Sequence, residues 1–462
     1  MTLIKSISGI RGTIGGTVGE NLTPIDAVKF AAAYGTWIKE QRTKDNYRVV
    51  IGRDARISGS MVQNLVMNTL IGLGIDVIDL DLSTTPTVEI AVPLEKADGG
   101  IILTASHNPK QWNALKLLDQ NGEFLNAAHS QRVLDIAEAD AMEFADVDDL
   151  GAISKNQAYF DIHIDEVLNL EFVNTKAISD CKFKVVVDAV NSTGGIAIPL
   201  LLERLGVEAI KIHCEPNGQF PHNPEPLKQH LTDLSETVVA SKADFGIAVD
   251  PDVDRLAFID EKGIMFGEEY TLVACADYIL SQRPGNTVSN LSSTRALRDV
   301  TEKHGGTYTA SAVGEVNVVN SMKATKAVIG GEGNGGIIYP ESHYGRDALV
   351  GVALFLSLLA ERKIAVSALR ASYPSYFMGK KKIDLNPSID VDAILVAMEA
   401  KYVHEQISTI DGVKIDFETE WVHLRKSNTE PIIRIYTEAP TQEAADLLGD
   451  KIISEIKAVA GI

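Results

Sequence analysis

The segment RVVIGRDAR at residues 48–56, followed by ISGSMVQNLVMNTLIGLG at residues 57–74, decides the fold class. Its first four residues, Arg48–Ile51, form a mostly apolar run that predicts a buried strand, and a polar Gly-Arg-Asp loop follows. Apolar residues then recur at helical spacing from Met61 to Leu73, and Gly74 ends the predicted helix. This order of strand, loop and helix is the repeating unit of α/β sheets, which bind ligands beyond the carboxyl ends of their strands.

The same plan recurs twice further along the chain. Strands are predicted at 183–187 and 287–291, and a helix and further strands follow each of them. From about residue 371 the pattern changes to two helices with several short strands, which is typical of a small α+β domain. The sequence therefore predicts three related α/β domains and a C-terminal α+β domain, at residues 1–152, 153–254, 255–370 and 371–462.

Composition excludes several classes of protein. Of the 462 residues, 45% are hydrophobic and 23% are charged, as in a folded globular chain. The net charge of −20 argues against nucleic acid or an anionic membrane as a partner, because both attract basic surfaces. The longest uncharged apolar run, at 348–360, is shorter than the roughly 20 residues that cross a bilayer. With no recognisable signal peptide and three scattered cysteines, we expect a cytoplasmic protein.

An acidic loop, DPDVDR at residues 250–255, predicts a metal site. Asp250, Asp252 and Asp254 alternate in a turn, so their carboxylates can converge on one hard cation, and Mg²⁺ prefers carboxylate oxygen. A calcium-binding EF-hand is excluded because its sixth position requires glycine, where this chain has Arg255. The alternative interpretation is a solvated acidic turn.

A second loop, TASHNP at residues 104–109, contains a candidate nucleophile. Ser106 follows a predicted buried strand, and His107 is its neighbour. Adjacent side chains generally point apart, so His107 is not expected to serve as the base for Ser106. The loop lacks the G-x-S-x-G pattern of acyl-transfer hydrolases, which leaves phosphoryl chemistry near a Mg²⁺ site open. The alternative is a serine that only satisfies backbone groups of the turn.

The glycine-rich loop at residues 330–336 contains G-x-G-x-x-G after a strand, which is the pattern of dinucleotide-binding proteins. A strand pattern follows it, so no helix N-terminus is available for a pyrophosphate, and we reject that interpretation. Glu332 and Asn334 in such a turn suit hydrogen bonds to sugar hydroxyls, whereas the alternative is a plain flexible turn.

A basic loop near the C-terminus predicts a phosphate site. Guanidinium groups bind phosphate oxygens in bidentate fashion, and hydroxyl and amide groups add donors. Arg53 and Arg56, beside the earlier loops, are expected to add positive charge to the site. The alternative for the basic loop is an ordinary surface turn. Its candidate ligands are Arg425, Lys426, Ser427, Asn428 and Thr429, with Arg434 on the strand that follows.

These loops, in this order, resemble the motifs of the α-D-phosphohexomutase family, and the resemblance spans essentially the whole chain. Each motif alone is only suggestive, whereas the complete set in family order is highly specific. The matching segments are the N-terminal active-site segment Ser8–Gly12, the Gly-Arg-Asp segment Gly52–Arg56, the phosphoserine loop Thr104–Pro109, the metal loop Asp250–Arg255, the start of the sugar-binding loop Gly331–Glu332, and the phosphate-binding loop Arg425–Pro431 with Arg434.

The resemblance implies three related α/β domains and a fourth, TBP-like α+β domain around a central cleft. It implies that Ser106 carries a phosphoryl group, and that Mg²⁺ is bound by the serine phosphate with Asp250, Asp252 and Asp254. A hexose phosphate is the implied partner and a hexose 1,6-bisphosphate the implied intermediate and activator, in a monomer or homodimer. Arg11 and Arg255 are candidates for charge stabilisation, and Lys116 and His107 for proton transfer, with the assignment between these two left open.

One departure from the family pattern concerns the substrate. The sugar-binding loop of well-known bacterial members reads G-E-x-S-G-H, whereas this chain has Asn334 for the serine and Gly336 for the histidine. This form resembles an archaeal-type branch associated with phosphoglucosamine mutases. We therefore expect interconversion of glucosamine 6-phosphate and glucosamine 1-phosphate. The alternatives are a phosphoglucomutase/phosphomannomutase, a sugar phosphatase that uses the same serine, and a sugar-phosphate-binding protein without catalysis.

Overall fold

The structure, a computed structural model, describes residues 2–6, 9–44, 46–384, 386, 389–426 and 432–460. Within these residues there are 15 α-helices and 20 strands. The helices are α1 (Pro24–Gln41), α2 (Gly59–Gly72), α3 (Thr85–Leu94), α4 (Ala127–Glu138), α5 (Tyr159–Leu168), α6 (Thr175–Cys181), α7 (Gly194–Arg204), α8 (Thr232–Ser241), α9 (Glu268–Gln282), α10 (Ala296–Lys303), α11 (Glu315–Thr325), α12 (Ala348–Arg362), α13 (Val366–Ala371), α14 (Val391–Lys401) and α15 (Gln442–Ala460).

The strands of the described residues are short, as is usual for α/β proteins. They are β1 (Ile4–Ser6), β2 (Gly9–Thr13), β3 (Tyr47–Arg53), β4 (Ile75–Leu82), β5 (Gly99–Leu103), β6 (Trp112–Leu118), β7 (Ile153–Lys155), β8 (Lys184–Asp188), β9 (Glu208–Ile212), β10 (Phe245–Val249), β11 (Leu256–Asp260), β12 (Asn286–Asn290), β13 (Tyr308–Ser311), β14 (Ala327–Glu332), β15 (Gly336–Ile338), β16 (Phe377–Asp384), β17 (Gln406–Ser408), β18 (Val413–Asp416), β19 (Trp421–Lys426) and β20 (Ile432–Ala439).

The chain divides into two compact units. The first comprises Met1–Tyr278 and Asn334–Ser367, and the second comprises Ile279–Gly333 and Ala368–Ile462. The domain boundaries given above at residues 152, 254 and 370 stay a prediction.

The first unit contains a seven-stranded sheet in the order β1-β2-β6-β5-β3-β4-β7. Strand β3 pairs in parallel with β4 and with the central strand β5, whereas β6 returns antiparallel to β5. The helix α1 begins at the cap Thr23, whose side chain accepts a hydrogen bond from the amide of Asp26. It packs with α2 on one face of the sheet around buried side chains that include Val66 and Leu70. The carboxyl end of β5 therefore presents the loop that starts at Thr104.

A second sheet of the first unit has the order β11-β10-β8-β9. Strands β8, β9 and β10 are parallel, and β11 pairs antiparallel with β10 from Val249↔Leu256 to Phe245↔Asp260. Every residue of β10 and β11 is buried, which fits their continuous apolar sequences. Residues 250–255 form the hairpin loop between these two strands, so the acidic loop is anchored on a buried ladder at both ends.

The second unit contains three parallel strands in the order β13-β12-β14 and a five-stranded antiparallel sheet in the order β16-β20-β19-β18-β17. Helices α14 and α15 cover one face of the five-stranded sheet, where Met398 and Ile452 pack with Ile415 and Ile435. In this sheet Arg425 on β19 lies directly opposite Arg434 on β20.

Most strands and helices that the sequence predicts are present within one or two residues, such as the strand at 245–249 and the helix at 391–401. The strand β6 was not predicted, because its sequence WNALKLL follows a loop and does not alternate cleanly between polar and apolar residues. The apolar run at 348–360 lies in α12, whose described residues are almost all buried. Among the described helices, none combines the length and apolar character needed to span a bilayer.

Candidate active site

Two loops at carboxyl ends of strands bring Ser106 to the acidic cluster. The Ser106 hydroxyl Oγ donates to Asp250 Oδ2 at 2.8 Å, although the two residues are 144 positions apart. Ser106 is 8% exposed, and its φ of +47° lies in the left-handed region that non-glycine residues rarely adopt. Such strained backbone persists only where the surroundings fix it, and it occurs often at functional sites.

Arg56 fixes the backbone of the serine loop. Its buried guanidinium donates to the carboxylate of Asp54 and to the carbonyls of Ser106, Asn108 and Pro109, the last at 2.8 Å. All these partners are internal, and Arg56 is 1% exposed. The expectation that Arg56 adds positive charge for a ligand is therefore wrong, because its donors are already used to turn the loop.

Arg53 also lies outside the site. Its guanidinium donates to Asp81 Oδ1 at 2.6 Å and to Gln63 Oε1 at 2.8 Å. The expectation that Arg53 contributes charge to the site is wrong, since these partners hold it on the side of β3 that faces α2 and β4. Within the Gly-Arg-Asp segment, Asp54 is the residue that supports the serine loop, accepting from the Thr104 hydroxyl at 2.7 Å.

The three aspartates of the acidic loop are all completely buried, with carboxylate oxygens that lie within 4.8 Å of one another. Burial and the negative charges of Asp254 and Asp252 raise the pKa of Asp250 well above its usual value. The Oδ1 atoms of Asp252 and Asp254 are buried, and neither has a hydrogen-bond partner among the described residues. Unpaired buried carboxylate oxygens are costly, and this all-oxygen set fits the preference of Mg²⁺.

Two cations hold the other oxygens of this cluster. Lys116 Nζ lies 2.7 Å from Asp252 Oδ2 and 3.3 Å from Asp254 Oδ2, and Arg346 Nη2 lies 2.6 Å from Asp254 Oδ2. Burial alone would raise the pKa of Asp254, but Arg346, Lys116 and Arg255 outweigh it and hold the pKa below its usual value. Conversely, Asp252 and Asp254 overcome the effect of burial and raise the pKa of Lys116. Lys116 is therefore an ammonium ion beside the acidic loop at residues 250–255.

The position of Lys116 follows from the unpredicted strand β6. Ile102 on β5 pairs with Lys116 on β6, one position before β5 ends at Leu103. The antiparallel return of β6 thus carries Lys116 back to the end of the sheet where the serine loop starts. The neighbouring strand β2 pairs Arg11 with Ala114, two positions from Lys116, so Arg11 lies at the same end of the sheet.

His107 lies closer to Ser106 than expected. Its Nδ1 is 3.4 Å from Ser106 Oγ, and the backbone between the two side chains has the left-handed conformation at Ser106. The expectation that the side chains point apart is therefore wrong. Burial and the positive charges of Arg255, Arg346 and Arg11 lower the pKa of His107 to about 3. His107 is therefore a neutral imidazole at physiological pH.

This low pKa makes a prediction for metal-free, unphosphorylated protein. Folded His107 stays neutral where unfolded histidine, with a pKa near 6.5, is protonated. The stability present above pH 6.5 is therefore lost as the pH falls from about 6.5 toward 3. We expect His107→Gln to reduce the loss of unfolding free energy between pH 7 and pH 5, measured by chemical denaturation. ¹⁵N shifts of His107 that report an imidazolium at pH 6 would contradict the prediction.

Arg255 lies at the edge of the acidic cluster. Its Nε is 3.9 Å from Asp250 Oδ2, and its Nη1 is 3.4 Å from Glu225 Oε1. Arg255 is 9% exposed. Its guanidinium thus carries a partly compensated positive charge beside Ser106's carboxylate partner, where an incoming anion would meet it.

The candidate sugar-binding residues are described in separate units. In the second unit Glu332 is the last residue of β14, and its Oε1 accepts from Asn290 Nδ2 at 2.9 Å and from the Gly314 amide at 3.3 Å. In the first unit Asn334 Oδ1 accepts from the Gly336 amide at 3.2 Å. Both side chains are therefore held in one orientation by backbone or amide donors.

The candidate phosphate-binding loop is described only in part. Arg425 and Arg434 face each other across β19 and β20, and Arg425 Nη2 is 3.0 Å from Asp411 Oδ2. Like charges directly opposite in a sheet are unfavourable, so this pair suits a site for an anion. Ser8 of the N-terminal segment and Ser427, Asn428 and Thr429 of the loop lie outside the described residues.

Arg346 was not identified from the sequence, nor was the buried chain of charges beside it. Asp347 Oδ2 lies 2.8 Å from His163 Nε2 and 3.2 Å from His343 Nε2, and His343 Nδ1 is 3.3 Å from Glu89. The neighbouring carboxylates outweigh burial and raise the pKa of His343 to about 10. A signal was present, because residues 345–347 repeat the Gly-Arg-Asp sequence of residues 52–54.

Comparison with known proteins gives the family. The four domains of the phosphoglucomutase/phosphomannomutase family match residues 3–143, 161–263, 267–376 and 380–455: α/β/α domains I, II and III and the C-terminal domain. The chain is 34% identical to a phosphoglucomutase/phosphomannomutase of Thermococcus kodakarensis, covering 96% of this chain and 98% of the relative. It is 31% identical to a probable phosphoglucosamine mutase of Methanopyrus kandleri, covering 97% of each.

A solved structure has the same fold. It is a phosphoglucomutase/phosphomannomutase family protein from Burkholderia thailandensis, with a TM-score of 0.84, 25% sequence identity, and coverage of 99% of this chain and 98% of that one. The four domain matches and this structure confirm the predicted fold class of three α/β domains and a C-terminal α+β domain. The chain belongs to the phosphoglucomutase/phosphomannomutase family, the phosphohexomutases, and is an isomerase of that family.

Proposed function

We propose that this enzyme moves a phosphoryl group between the C6 and C1 hydroxyls of glucosamine phosphate through a phosphoserine at Ser106. The observation that carries the mechanism is the 2.8 Å hydrogen bond from Ser106 Oγ to Asp250, within a buried cluster of three carboxylates. Lys116, Arg255 and Arg346 lie beside the same carboxylates, so a phosphoryl group on the Ser106 hydroxyl would lie near positive charge. The phosphoenzyme gives that group to the free hydroxyl of the sugar monophosphate, and the bisphosphate returns its other phosphoryl group to Ser106.

The acidic loop is the proposed metal site. Asp250, Asp252, Asp254 and the serine phosphate would hold Mg²⁺, which would supply charge neutralisation at the transferring group. Arg255 and Arg346 keep the cluster from being uniformly negative. Positioning and neutralisation are what phosphoryl transfer mainly requires from a protein.

Lys116 is the proposed proton-transfer group, and His107 the assisting one. Lys116 reaches Asp252 and Asp254 and is charged, so it can stabilise the transferring phosphoryl oxygens and hold a proton for the leaving serine oxygen. Neutral His107, 3.4 Å from Ser106 Oγ, can accept a hydrogen bond but is a weak base.

This assignment predicts unequal effects of two substitutions. We expect Lys116→Met to lower kcat by roughly 10²–10⁴-fold, and His107→Gln to lower it by about tenfold or less. Both substitutions roughly keep the side-chain volume, and circular dichroism of each variant checks that it is folded as the wild type is. Steady-state kinetics with the bisphosphate activator present would measure both effects. A larger loss in the His107 variant would reverse the assignment.

The remaining candidates are proposed to hold the sugar and its second phosphate. Arg425 and Arg434, opposed across two strands, are proposed to bind the non-reacting phosphate with Ser427, Asn428 and Thr429. Glu332 and Asn334 are proposed to bind ring hydroxyls or the substrate's amino group, since each is fixed in orientation. Arg11, charged and near His107, is proposed to stabilise the reacting phosphoryl group.

Glucosamine phosphate is favoured as the substrate by the E-G-N-G-G form of the sugar-binding loop, and the relative from Methanopyrus kandleri is named a probable phosphoglucosamine mutase. The relative from Thermococcus kodakarensis is named for glucose and mannose phosphates, which makes that activity the second candidate. Coupled assays with purified glucosamine, glucose and mannose phosphates decide between them. The first candidate requires the highest kcat/KM for glucosamine 6-phosphate.

Two other outcomes have distinct readouts. Release of free phosphate at the rate of sugar turnover would identify a phosphatase, because water would then be the acceptor. Binding of hexose phosphate without interconversion would identify a binding protein. Mass spectrometry of the peptide that contains Ser106, before and after incubation with a hexose 1,6-bisphosphate and Mg²⁺, tests the phosphoserine directly.

A further inference from the structure

A second cluster of metal-ligating side chains lies in the first unit, at the carboxyl ends of β8 and β9. Asp188 ends β8, His213 follows β9, and His222 lies in the segment that leads from β9 to α8. Asp188 Oδ2 is 3.0 Å from His213 Nδ1 and 3.1 Å from His222 Nε2, and one ligand atom from each residue lies within 4.8 Å of the others. None of these residues takes part in the proposed phosphoryl transfer.

The outer nitrogens of both rings face groups that can only accept a hydrogen bond. His222 Nδ1 lies 2.8 Å from the backbone carbonyl of Asn223, so this nitrogen carries the proton. His213 Nε2 faces the Asp233 carboxylate at 3.4 Å, which favours a proton on that nitrogen as well. Metal-binding histidines characteristically donate their second N–H to a carbonyl or carboxylate, which fixes the tautomer.

With the outer nitrogens protonated, the inner nitrogens of two neutral rings would present lone pairs to Asp188 Oδ2. A positive charge must lie between them, either as one added proton on each ring or as one cation. Two imidazolium rings whose centroids are 5.4 Å apart would repel each other, with a single buried carboxylate between them. One dication satisfies all three atoms without that repulsion.

The spacing of the three atoms also fits a metal. Zinc binds nitrogen and oxygen ligands at about 2.0–2.2 Å, so the edges of a tetrahedral site are about 3.3 Å long. The separations of 3.0 and 3.1 Å are close to that value. The side chains of His213 and His222 are 21% and 18% exposed, which leaves solvent access for a fourth ligand and for entry of the ion.

We propose that Asp188, His213 and His222 form a second metal site that binds a first-row transition-metal dication of the zinc class. Imidazole nitrogen suits zinc, cobalt and nickel, whereas magnesium prefers oxygen, so this site and the acidic loop differ in selectivity. Asp188 is prepared for the role, since its Oδ1 is already held by the Val190 amide at 3.0 Å.

The proposed metal site would hold the segment that follows β9, and this segment contacts the loops that carry Arg56 and Arg255. Downstream of His213, the Phe220 ring lies 5.1 Å from the Arg56 guanidinium, and Glu225 is 3.4 Å from Arg255. Gly218 packs so closely on the Ala55 carbonyl that an added Cβ would lie 2.1 Å from it. A metal at His222 therefore ties this segment to the sheet. Its role is to position the segment and not to contact the reacting atoms.

Co²⁺ titration of the whole protein tests the proposal. Chelator-stripped enzyme is returned to excess Mg²⁺, which fills the oxygen site, and Co²⁺ is followed by visible absorption. We expect one equivalent with the intense bands of a four-coordinate nitrogen and oxygen site, lost in His222→Ala and Asp188→Asn. His404→Ala, which removes an exposed imidazole of the second unit, should bind Co²⁺ as the wild type does.

Two further measurements on the wild type need no variant. Zn²⁺ should raise Tm by at least about 2 °C in the presence of excess Mg²⁺, and it should shift the inner ¹⁵N resonances of His213 and His222. Weak octahedral bands alone, unchanged Co²⁺ binding in His222→Ala, or ¹⁵N shifts that show two imidazolium rings in the presence of Zn²⁺ would overturn the proposal. Because Ser106 and the three aspartates are not involved, such a failure leaves the proposed phosphoryl transfer untouched.

Discussion

Ser106→Ala is expected to lower kcat by roughly 10³-fold or more for every hexose phosphate that the enzyme accepts. Alanine cannot carry a phosphoryl group, and the 2.8 Å hydrogen bond to Asp250 is lost with the hydroxyl. The sugar phosphate should still bind with an affinity within about threefold of the wild type, because its proposed ligands are other residues. Steady-state kinetics and calorimetric binding measure the two effects separately.

Ser83→Ala is a matched control for this substitution. The Ser83 hydroxyl is also buried in the first unit, but it has no hydrogen-bond partner among the described residues. Its removal should leave kcat and stability almost unchanged, since no hydrogen bond is lost. Turnover by Ser106→Ala at more than about a tenth of the wild-type rate would rule out the phosphoserine pathway.

Asp250→Asn is expected to abolish the response to Mg²⁺, lower kcat by about 10³-fold or more, and stabilise the metal-free enzyme. Asparagine keeps the oxygen that accepts from the amides of Asp254 and Arg255, while it removes one of three buried, mutually repelling charges. We expect the metal-free variant to unfold with a free energy larger by roughly 1–2 kcal/mol. Thermal melts of the variant and the wild type, with chelator and with Mg²⁺, test whether the variant is more stable without metal and fails to respond to Mg²⁺.

The pH dependence of folding stability offers a second way to test the Asp250→Asn prediction. The folded-state pKa of Asp250 is raised, so the folded protein binds this proton more tightly than the unfolded chain does. The contribution to stability is present below the unfolded pKa and is lost as the pH rises through the folded pKa. The unfolding free energy of metal-free Asp250→Asn should therefore exceed that of the metal-free wild type by an amount that grows as the pH rises through the folded-state pKa of Asp250.

Asp277→Asn provides the contrasting control. Asp277 is also buried, but its Oδ2 is 2.7 Å from Arg362 Nη1, so its charge is compensated. Removing a carboxylate with a cationic partner should lower stability with and without Mg²⁺. A metal-free Asp250→Asn enzyme that is as destabilised as Asp277→Asn would contradict the picture of repulsion among the acidic-loop carboxylates.

The sequence predicts the layout of the fold and the loops that carry chemistry. Short apolar runs such as 245–249 and helical spacing after 57 are strong local signals, so the strands and helices they predict are present. Ligands in α/β sheets bind beyond the carboxyl ends of strands, so the loops at 104–109 and 250–255 could each be identified as candidates. They follow strands of two different sheets, and only the family resemblance implied that they meet. The catalytic and ligand roles of their residues stay predictions.

What the sequence could not predict depends on pairing across long separations. Whether an arginine reaches a ligand or a backbone carbonyl is decided by which loop packs above it, as Arg56 and Arg346 illustrate. Arg56 lies just after the Gly-Arg-Asp sequence at residues 52–54, and Arg346 lies within the second copy of that sequence at residues 345–347. Arg56 donates its hydrogen bonds to carbonyls of the serine loop, whereas Arg346 pairs with Asp254. Ion pairs with such separations leave no periodic pattern in the sequence.

The hydrogen bonds from Arg56 to the serine loop have a consequence for how that loop moves. Arg56 donates to the carbonyls of Ser106, Asn108 and Pro109 from about 50 positions away in the sequence, so we expect the loop to open only when the surrounding sheet opens. Amide hydrogens of the loop should therefore exchange with solvent as slowly as those of the neighbouring buried strands. Binding a sugar phosphate would then leave their exchange rates nearly unchanged, because Arg56 already holds the backbone of the loop in one conformation.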